Sequence, residues 1–422
     1  MHFKPVIVLT CVSAAVLTAA DVRPKDVREI AKAGSNAIPQ LQELLKNPDP
    51  DIRIEAVKAI TEIGTQRSLD PLIVATQDND PEVQIRATDG LVNFYLPGYV
   101  QTGIGASLKR VGTSIKAKFT DTNDQVVDPY VTARPEVVAA LGKLARGGGS
   151  LEARANAARA IGILRGKDAV PDLLEAIHTK DSAVIYESLN ALQKIRDQSA
   201  APRISFLLRD LDPKVQQAAI ETTGLLQNKE ALPDLTDALN RTRDAKVRRA
   251  ALTAIAMLPD ESSRNVYARY LTDKDDKMRA AAAEGYARLR NPADLPMLEK
   301  AWQDEGKTPA RLGLAFGQVM LGKVDTGEFS PLTYLINTLD SASFRDVAQA
   351  YLIELARDEK VRAALYTPMD NGTKDEKIGL ARVLARSGDK ESVAHLQKVA
   401  NDTDGDVAQE GQRALRTLQA RL

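Results

Sequence analysis

The chain has 422 residues, of which 57 are Lys or Arg and 57 are Asp or Glu, so its formal net charge is zero. This balance disfavours a nucleic acid partner, because contact with a phosphate backbone usually needs a clear basic excess. Aromatic residues make up only 4% of the chain, which disfavours a β-sandwich or a barrel. Three histidines and one cysteine leave few ligands for metal, thiol or haem chemistry.

The first twenty residues have the pattern of a secretory signal peptide. Lys4 gives a positive start, an uncharged apolar run follows, and the run ends on the small residues Ala19 and Ala20. An uncleaved anchor is the weaker interpretation, because the run is shorter than the roughly 20 residues that a membrane-spanning helix needs. We therefore expect cleavage after Ala20 and a secreted or periplasmic mature chain. The leader would take Cys11 with it, so the mature chain would contain no disulfide.

One motif recurs along the rest of the chain: an Asp- or Asn-rich turn, often with a Pro, and then an apolar residue that opens an Ala-rich helix. Clear copies are NPDPDIRIEA at 47–56, DNDPEVQIRA at 78–87 and RDLDPKVQQA at 209–218. The apolar anchors lie 31 or 32 residues apart, except for one gap of 70 residues. They are Ile52, Val83, Ala153, Val184, Val215, Val247 and Met278. Such a fixed period indicates stacked structural repeats.

A second column of residues has the same period. Prolines recur at the start of a further helix, as in VPDLLEAI at 170–177 and LPDLTDAL at 232–239. Pro is favoured in the first turn of a helix, because the N–H that it lacks would be unpaired there. The column consists of Pro39, Pro71, Pro135, Pro171, Pro202, Pro233 and Pro296. Each unit is therefore predicted as a Pro-started first helix, an Asp-rich turn and a second helix that begins near the apolar anchor.

The two columns together resemble the HEAT repeat family, particularly the short Ala-rich repeats of the phycobilisome-lyase-like group. The resemblance covers residues 37–420, with a cap helix at 24–33, and the repeats are looser between about 305 and 390. It implies an all-α solenoid of about eleven helix pairs, in which neighbouring pairs share one elongated core. The predicted divisions are a signal peptide at 1–20, first repeats at 21–96, an insertion at 97–133 and further repeats at 134–422.

The resemblance also implies which residues face a partner, because second helices line the concave surface of HEAT solenoids. Six residues after each anchor, this surface would present a column of mixed charge, which suits a protein or peptide partner better than a polyanion. The column consists of Lys58, Asp89, Arg159, Asn190, Glu221, Thr253 and Glu284. An ordinary solvated helix face is the alternative interpretation for any one of its members.

The insertion at 97–133 accounts for most of the long gap between anchors. Within it, GIGASLKRVGTSIKAKF at 103–119 places apolar residues at helical spacing beside cationic ones, a pattern typical of a helix that binds a partner or a membrane surface. Gly105 and Gly112 are poor helix formers, so a hairpin or a packed lid would fit as well. The apolar residues are Ile104, Leu108, Val111, Ile115 and Phe119, and the cationic ones are Lys109, Arg110, Lys116 and Lys118.

A second basic segment, RTRDAKVRR at 241–249, carries five cationic residues around one turn. Its arginines either bind an acidic or phosphate ligand or pair with an acid of the adjacent repeat. The sequence leaves both interpretations open.

No catalytic motif accompanies the repeats. HEAT-like hydroxylases carry His-Glu pairs for a di-iron site, whereas His2, His178 and His395 are not followed by Glu. No cluster of His, Cys or carboxylate residues has metal-ligand spacing, and the sequence contains no nucleophile elbow or phosphate-binding loop. We therefore predict no metal, no cofactor and no enzymatic activity.

The sequence thus predicts a non-enzymatic extracytoplasmic scaffold that binds a protein or peptide partner through its concave surface, with the insertion as a second contact surface. Two alternatives stay open: a lyase or isomerase of the phycobilisome-lyase-like group with a site in the concave groove, and association with a membrane surface through residues 103–119. An enzyme would need a closed apolar pocket with convergent polar groups, whereas a scaffold would present a continuous open surface.

Overall fold

The computed structural model describes residues 22–100 and 125–422 of the chain. Within these two ranges the regular secondary structure is helical, without a strand. None of the helices in them combines the length and the apolar character that a bilayer span requires. The predicted signal peptide at 1–20 and the amphipathic stretch at 103–119 lie outside the described residues.

The described helices form a cap and eleven consecutive pairs, in the order that the two residue columns predict. The cap is α1 (Pro24–Ala31), and the pairs are α2 (Ile38–Leu44) with α3 (Pro50–Ile63), α4 (Leu69–Ala75) with α5 (Pro81–Tyr95), α6 (Pro135–Gly147) with α7 (Leu151–Ile163), α8 (Val170–Ala176) with α9 (Ser182–Ile195), a 3₁₀ helix (Gln198–Arg209) with α10 (Pro213–Leu225), α11 (Leu232–Arg241) with α12 (Ala245–Met257), α13 (Arg264–Tyr270) with α14 (Asp276–Arg288), α15 (Leu295–Asp304) with α16 (Thr308–Met320), α17 (Pro331–Asn337) with α18 (Arg345–Leu355), α19 (Glu359–Ala364) and α20 (Tyr366–Asn371) with α21 (Lys374–Ser387), and α22 (Lys390–Ala400) with α23 (Gly405–Gln419). The predicted all-α solenoid is confirmed.

The Asp-rich turns are explained by capping at the start of the second helices. The Asp80 side chain accepts hydrogen bonds from the backbone N–H groups of Glu82 and Val83, at 2.9 and 3.1 Å. These donors have no partner within the helix, so each such cap stabilises it by about 1 kcal/mol. Side chains cap second helices in the same way at Asp49, Asp181, Asp212, Asp244 and Asp275.

The apolar anchors lie at the centre of the core. All seven, from Ile52 to Met278, are at most 2% exposed. The second helices that carry them pack against one another in succession, and α1 packs on α3 at the N-terminal end. Neighbouring pairs therefore share their apolar faces, as the repeat pattern predicts.

The proline column marks the first helices with one irregularity. Pro39, Pro135 and Pro233 lie in the first two positions of α2, α6 and α11. Pro202 instead lies inside the 3₁₀ helix Gln198–Arg209. Pro has no N–H for the hydrogen-bond ladder of an α-helix, which accounts for the different helix type there.

The stack continues across the insertion, because α5 packs directly on α7. Two hydrogen bonds hold the chain where it returns from the insertion: the Val127 amide donates to the Ile163 carbonyl at 2.9 Å, and the Arg134 amide donates to the Tyr95 hydroxyl at 3.0 Å. The stack of described helices is therefore continuous from α5 to α7.

The close packing of second helices depends on small residues. A Cβ added at Gly313 on α16 would lie 2.7 Å from both the Cα and the carbonyl oxygen of Ala280 on α14. Gly162 and Gly224 lie similarly close to the second helix that follows them. This spacing explains why an Ala-rich chain with few aromatic residues fills its core.

We expect Gly313→Ala to destabilise the chain by about 1–3 kcal/mol, because the added methyl meets backbone atoms that cannot rotate away. The measurement is urea denaturation followed by circular dichroism. Gly405→Ala is the matched control: it lies in the first position of α23, where an added Cβ meets nothing within 4 Å. Equal stability of Gly313→Ala and wild type would show that α14 and α16 pack less closely than described.

Candidate functional site

Residues 125–128 cross the C-terminal ends of two second helices. The Val127 amide bonds to Ile163 at the end of α7, and the Lys194 ammonium donates to the Gln125 carbonyl, at 3.3 Å, near the end of α9. This segment therefore lies on the surface formed by the second helices, which we call the inner face.

Asp128 in the same segment joins distant parts of the stack. Its carboxylate pairs at 2.6 Å with Arg413 on α23, 285 positions further along the chain, and accepts a hydrogen bond from the Tyr130 hydroxyl at 2.8 Å. The Arg416 guanidinium lies 5.9 Å from the centre of the Tyr130 ring. The stack therefore curves until its last helix faces α7, with the second helices on the concave side.

The predicted partner-binding column lies deeper in this face than expected. Asp89, Arg159, Asn190 and Glu284 are buried, at 5 to 7% exposure. Lys58, Glu221 and Thr253 are half-buried. The expectation of an open column is therefore corrected for the four buried residues, whose side chains lie between closely packed second helices.

Buried members of the column link neighbouring helices by polar contacts. The Arg159 guanidinium on α7 donates to both carboxylate oxygens of Glu187 on α9, at 2.9 and 3.2 Å. The Asp89 carboxylate on α5 accepts from the Asn156 amide on α7 at 3.1 Å. Tyr99, where the insertion begins, lies beside them: burial, and then the Asp89 charge, raises the pKa of its phenol far above the usual range.

Glu284 on α14 has a similar linking role. It pairs with Arg288 at 2.9 Å and accepts a hydrogen bond at 2.5 Å from the hydroxyl of Tyr351 on α18. Burial, and then the Glu284 carboxylate, raises the pKa of the Tyr351 phenol well above its ordinary value. Arg288 also reaches Glu354 on α18 at 2.9 Å. The chemistry of these groups is that of structural ion pairs between repeats.

A row of residues in the left-handed conformation follows the second helices. Arg165, Arg196 and Arg290 have φ of 52°, 63° and 55°, and Gln227 has φ of 61°. Gly64 occupies the same position after α3, with φ of 56°. A residue with a Cβ adopts this conformation at a cost of roughly 1–2 kcal/mol relative to the right-handed one. Arginine is therefore an unusual choice at a position where glycine has no such penalty.

Four arginines influence one another electrostatically: Arg165 and Arg196 after α7 and α9, Arg386 near the end of α21 and, at Arg196, Arg357 after α18. We call them the arginine cluster. Burial, and then repulsion from Arg386, lowers the pKa of both Arg165 and Arg196, and Arg357 adds to the repulsion at Arg196. Arg165 is half-buried, and its Nε atom has no hydrogen-bond partner among the described residues. The other three keep contact with solvent, as expected for side chains on a concave wall.

The sequence analysis missed the arginine cluster, although a pattern was present. Arg follows Leu or Ile directly at 165, 196 and 290, at the same point of the repeat. A basic residue near the C-terminus of a helix is favoured by the helix dipole alone, so this pattern does not by itself predict a site. What singles out Arg165 and Arg196 is the repulsion that each experiences from Arg386, which lies far along the chain.

The arginines of the basic segment at 241–249 lie in two different environments, and these correspond to the two interpretations that the sequence left open. Arg249 pairs with Asp275 of the next repeat at 2.6 Å, and Arg241 pairs with Asp237 at 2.5 Å. Arg243 and Arg248 instead line an open surface groove together with Arg269, Tyr270 and others. A second groove lies beside Trp302 and Phe329 and is also open to solvent.

Within 22–100 and 125–422, no three His, Cys, Asp or Glu side chains converge as ligands for a metal ion. The predicted insertion surface lies outside these ranges, so its role stays a prediction. Its residues are Ile104, Leu108, Lys109, Arg110, Val111, Ile115, Lys116, Lys118 and Phe119.

Comparison with known sequences decides the family. The profile of the HEAT repeats matches residues 15–93, 138–210, 200–266 and 235–315, which together are more than half of the chain. The chain belongs to the HEAT repeat family. The break in the match between 93 and 138 falls where the chain leaves and rejoins the stack of HEAT repeats. No curated protein matches the chain in sequence.

Solved structures of several proteins resemble this HEAT repeat chain. They include the complex of CpcE and CpcF of phycocyanin lyase from Nostoc (16% identity over 67% of this chain and 94% of that chain, TM-score 0.30), human deoxyhypusine hydroxylase (20% identity, 68% and 97%, TM-score 0.28) and importin beta (13% identity, 95% and 60%, TM-score 0.39). These likenesses concern the fold alone.

Proposed function

We propose that this HEAT repeat protein is a non-enzymatic scaffold that works outside the cytoplasm and binds a protein or peptide partner along its inner face. The observation that supports this most directly is the continuity of that face. Second helices follow one another along the whole described stack, and side chains from its distant parts meet across it, as Asp128 and Arg413 do. A partner lying there contacts several repeats at once, which is how solenoids present extended binding surfaces.

The grooves beside Arg243 and beside Phe329 are consistent with this proposal. Both are open to solvent, whereas sites for small substrates are usually concave, largely apolar and enclosing. Within the predicted column, the half-buried residues Lys58, Glu221 and Thr253 are the members that reach the surface. The proposed contact surface therefore consists of these three and the arginine cluster.

A cross-linking experiment tests the proposal. The sequence contains a single cysteine, Cys11, so Cys11→Ser allows one new cysteine to carry a photoactivatable cross-linker. We expect Lys58→Cys, on second helix α3, to capture a specific partner in the native source. Val74→Cys is the matched control, because Val74 is 55% exposed on the neighbouring first helix α4. In the cross-linked product, the HEAT repeat chain itself is expected to begin at Asp21 by mass spectrometry, because the leader is removed after Ala20.

Capture from Val74→Cys alone would place the partner on the opposite surface and contradict the proposal. Capture from neither position, although the labelled chains melt like wild type, would contradict it as well. A chain found in the cytoplasm with residues 1–20 still attached would contradict the proposed location while leaving the inner-face contact open to the same cross-linking test.

A further inference from the structure

The surface groove beside Arg243 carries charge of one sign. It has a volume of about 400 Å³ and lies between the end of α11, the first turn of α12 and the end of α13. Arg243, Arg248 and Arg269 line it, and no Asp or Glu does, so we call it the basic groove. Arg241 and Arg249 nearby each pair with a carboxylate. Within the described ranges, by contrast, none of the three guanidinium groups of the basic groove forms an ion pair.

Arg248 departs from the contacts that its position makes in other repeats. It directly follows the anchor Val247. Where another anchor is followed by a polar residue, the side chain of that residue donates to a backbone carbonyl that precedes its helix. Arg53 and Arg279 do so at 2.9 and 2.7 Å, and each also pairs with a carboxylate of the following repeat. The Arg248 guanidinium makes neither contact within the described residues and lines the basic groove instead.

The turn before α12 lacks a carboxylate that neighbouring turns contain. Two positions before the capping residue, those turns have Asp210 and Asp273, whose carboxylates accept from the backbone N–H of the capping residue at 2.8 Å. Thr242 takes this position before Asp244 and accepts through its neutral hydroxyl at 3.2 Å. Asp244 itself accepts two backbone N–H groups of α12 as its cap. The turn therefore keeps its backbone hydrogen bonds without supplying an acid to the arginines of the groove.

Tyr270 adds an unpaired hydroxyl to the wall of the basic groove. The residue is only 5% exposed, and its hydroxyl has no hydrogen-bond partner among the described residues. The hydroxyl oxygen is not itself fully buried, so it meets solvent where Tyr270 lines the groove. A tyrosine that is otherwise buried normally gives its hydroxyl a partner. The Arg269 guanidinium lies 5.6 Å from the centre of the Tyr270 ring, so this donor lies beside one of the unpaired cations.

These features indicate a compact anion with more than one negative charge. Three unpaired guanidinium groups along one groove repel one another, and a single carboxylate would neutralise only one of them. A phosphate monoester carries about −1.5 to −2 charges at pH 7 and offers three terminal oxygens as acceptors. The planar fork of a guanidinium group matches the geometry of a phosphate and donates two hydrogen bonds to it. An open groove of this kind holds the charged group and leaves the rest of the ligand in solvent.

We propose that the basic groove binds a phosphate group, either as free inorganic phosphate or in a monoester. Arg243, Arg248 and Arg269 supply the charge, and the Tyr270 hydroxyl supplies a further donor. This site goes beyond the proposed scaffold function and does not depend on it. The groove lies at the start of α12, whereas residues 125–128, which define the inner face, cross the opposite ends of second helices.

Isothermal titration calorimetry of the full chain tests this proposal in a phosphate-free buffer at pH 7.5. Inorganic phosphate, glycerol 3-phosphate and malonate are titrated separately. We expect at least one of the two phosphate compounds to bind with a dissociation constant of about 1 mM or lower. Malonate, a dianion of two carboxylates, should bind at least about fivefold more weakly. Tighter binding of the ester would assign the groove to a phosphorylated molecule, and tighter binding of inorganic phosphate would assign it to the free anion.

The site variant combines Arg248→Gln with Arg269→Gln. Glutamine already follows the anchor in two other repeats, at Gln84 and Gln216, so the first substitution is compatible with the fold. Arg269 is exposed, so the second removes little packing. We expect the affinity for the tighter phosphate compound to fall at least about tenfold, because charge-assisted hydrogen bonds from two guanidinium groups are lost. The melting temperature should stay close to that of wild type.

The matched control combines Arg241→Gln with Lys246→Gln. It removes the same number of positive charges from residues that are close to the groove in sequence and do not line it. Both are exposed. We expect the affinity for phosphate to change by less than about threefold, since exposed charges that make no contact with the ligand are screened by salt. Equal weakening of the two variants would mean that only the overall charge attracts the anion, which overturns the site.

Three further outcomes would overturn the proposal. One is that neither phosphate compound binds to wild type, and another is that malonate binds more tightly than both. The third is that the site variant folds and keeps the wild-type affinity, which would mean that Arg248 and Arg269 do not touch the anion. If the site variant fails to fold, Arg243→Gln with Arg269→Gln replaces two exposed residues of the groove and should cause the same loss of affinity.

Discussion

Val215→Asp is expected to unfold the chain under conditions in which wild type is stable. Val215 is fully buried on α10, which packs between the second helices α9 and α12. The substitution places an unpaired carboxylate where it loses its contact with water. We expect the free energy of unfolding to fall by at least about 4 kcal/mol, measured by urea denaturation followed by circular dichroism.

Glu221→Gln, on the same helix, is the matched control. Glu221 accepts a hydrogen bond from the Gln217 amide at 2.8 Å, and burial raises the pKa of its carboxyl. The folded state therefore binds this proton more tightly than the unfolded state, and the resulting stabilisation is lost as the pH rises through the raised pKa. We expect Glu221→Gln to be at least as stable as wild type at pH 7, with the difference shrinking as the pH falls towards 4.5, the ordinary value for this group. Equal losses for Val215→Asp and Glu221→Gln would show that α10 is rotated relative to the described structure.

Glu187→Ala is expected to cost about 3–5 kcal/mol, because it leaves the buried Arg159 guanidinium without its carboxylate. The side chains of Arg159 and Glu187 are 7% and 4% exposed, and their pairing joins α7 to α9. Replacing both partners, with Arg159→Met and Glu187→Leu, should recover part of the loss, since neither member of the pair is then left as a buried charge without the other. Thermal and urea denaturation of the single and double variants measure both effects.

Glu43→Ala is the control for this ion pair. Glu43 pairs with Lys46 at 3.0 Å on the surface, where the two side chains are 68% and 70% exposed. Exposed pairs contribute between zero and about 1 kcal/mol, so little change is expected. A double variant of Arg159 and Glu187 that is no more stable than Glu187→Ala would show that packing at this position matters more than charge pairing.

The same pair shows where the sequence prediction of the site was limited. Arg159 was expected on an open concave surface because the resemblance to HEAT repeats implies that second helices line that surface, and Arg159 follows the anchor Ala153 by six residues. In the structure, small residues such as Gly162 bring α7 and α9 so close together that Arg159 and Glu187 are enclosed. Helical periodicity predicts the direction of a side chain, but the distance to the next helix decides whether that side is open.

The sequence by itself determined the fold of this protein, because each repeat is stabilised by local features. The capping residue Asp80, the helix-starting Pro135 and the buried anchor Val215 act within one helix pair or between neighbours, so their period in the sequence is also the period of the structure. Only the tertiary structure decided which residues meet across the inner face. The repulsion between Arg165 and Arg386 and the pairing of Asp128 with Arg413 depend on the curvature of the whole stack. That curvature is the sum of small rotations between successive pairs, which no single repeat in the sequence reveals.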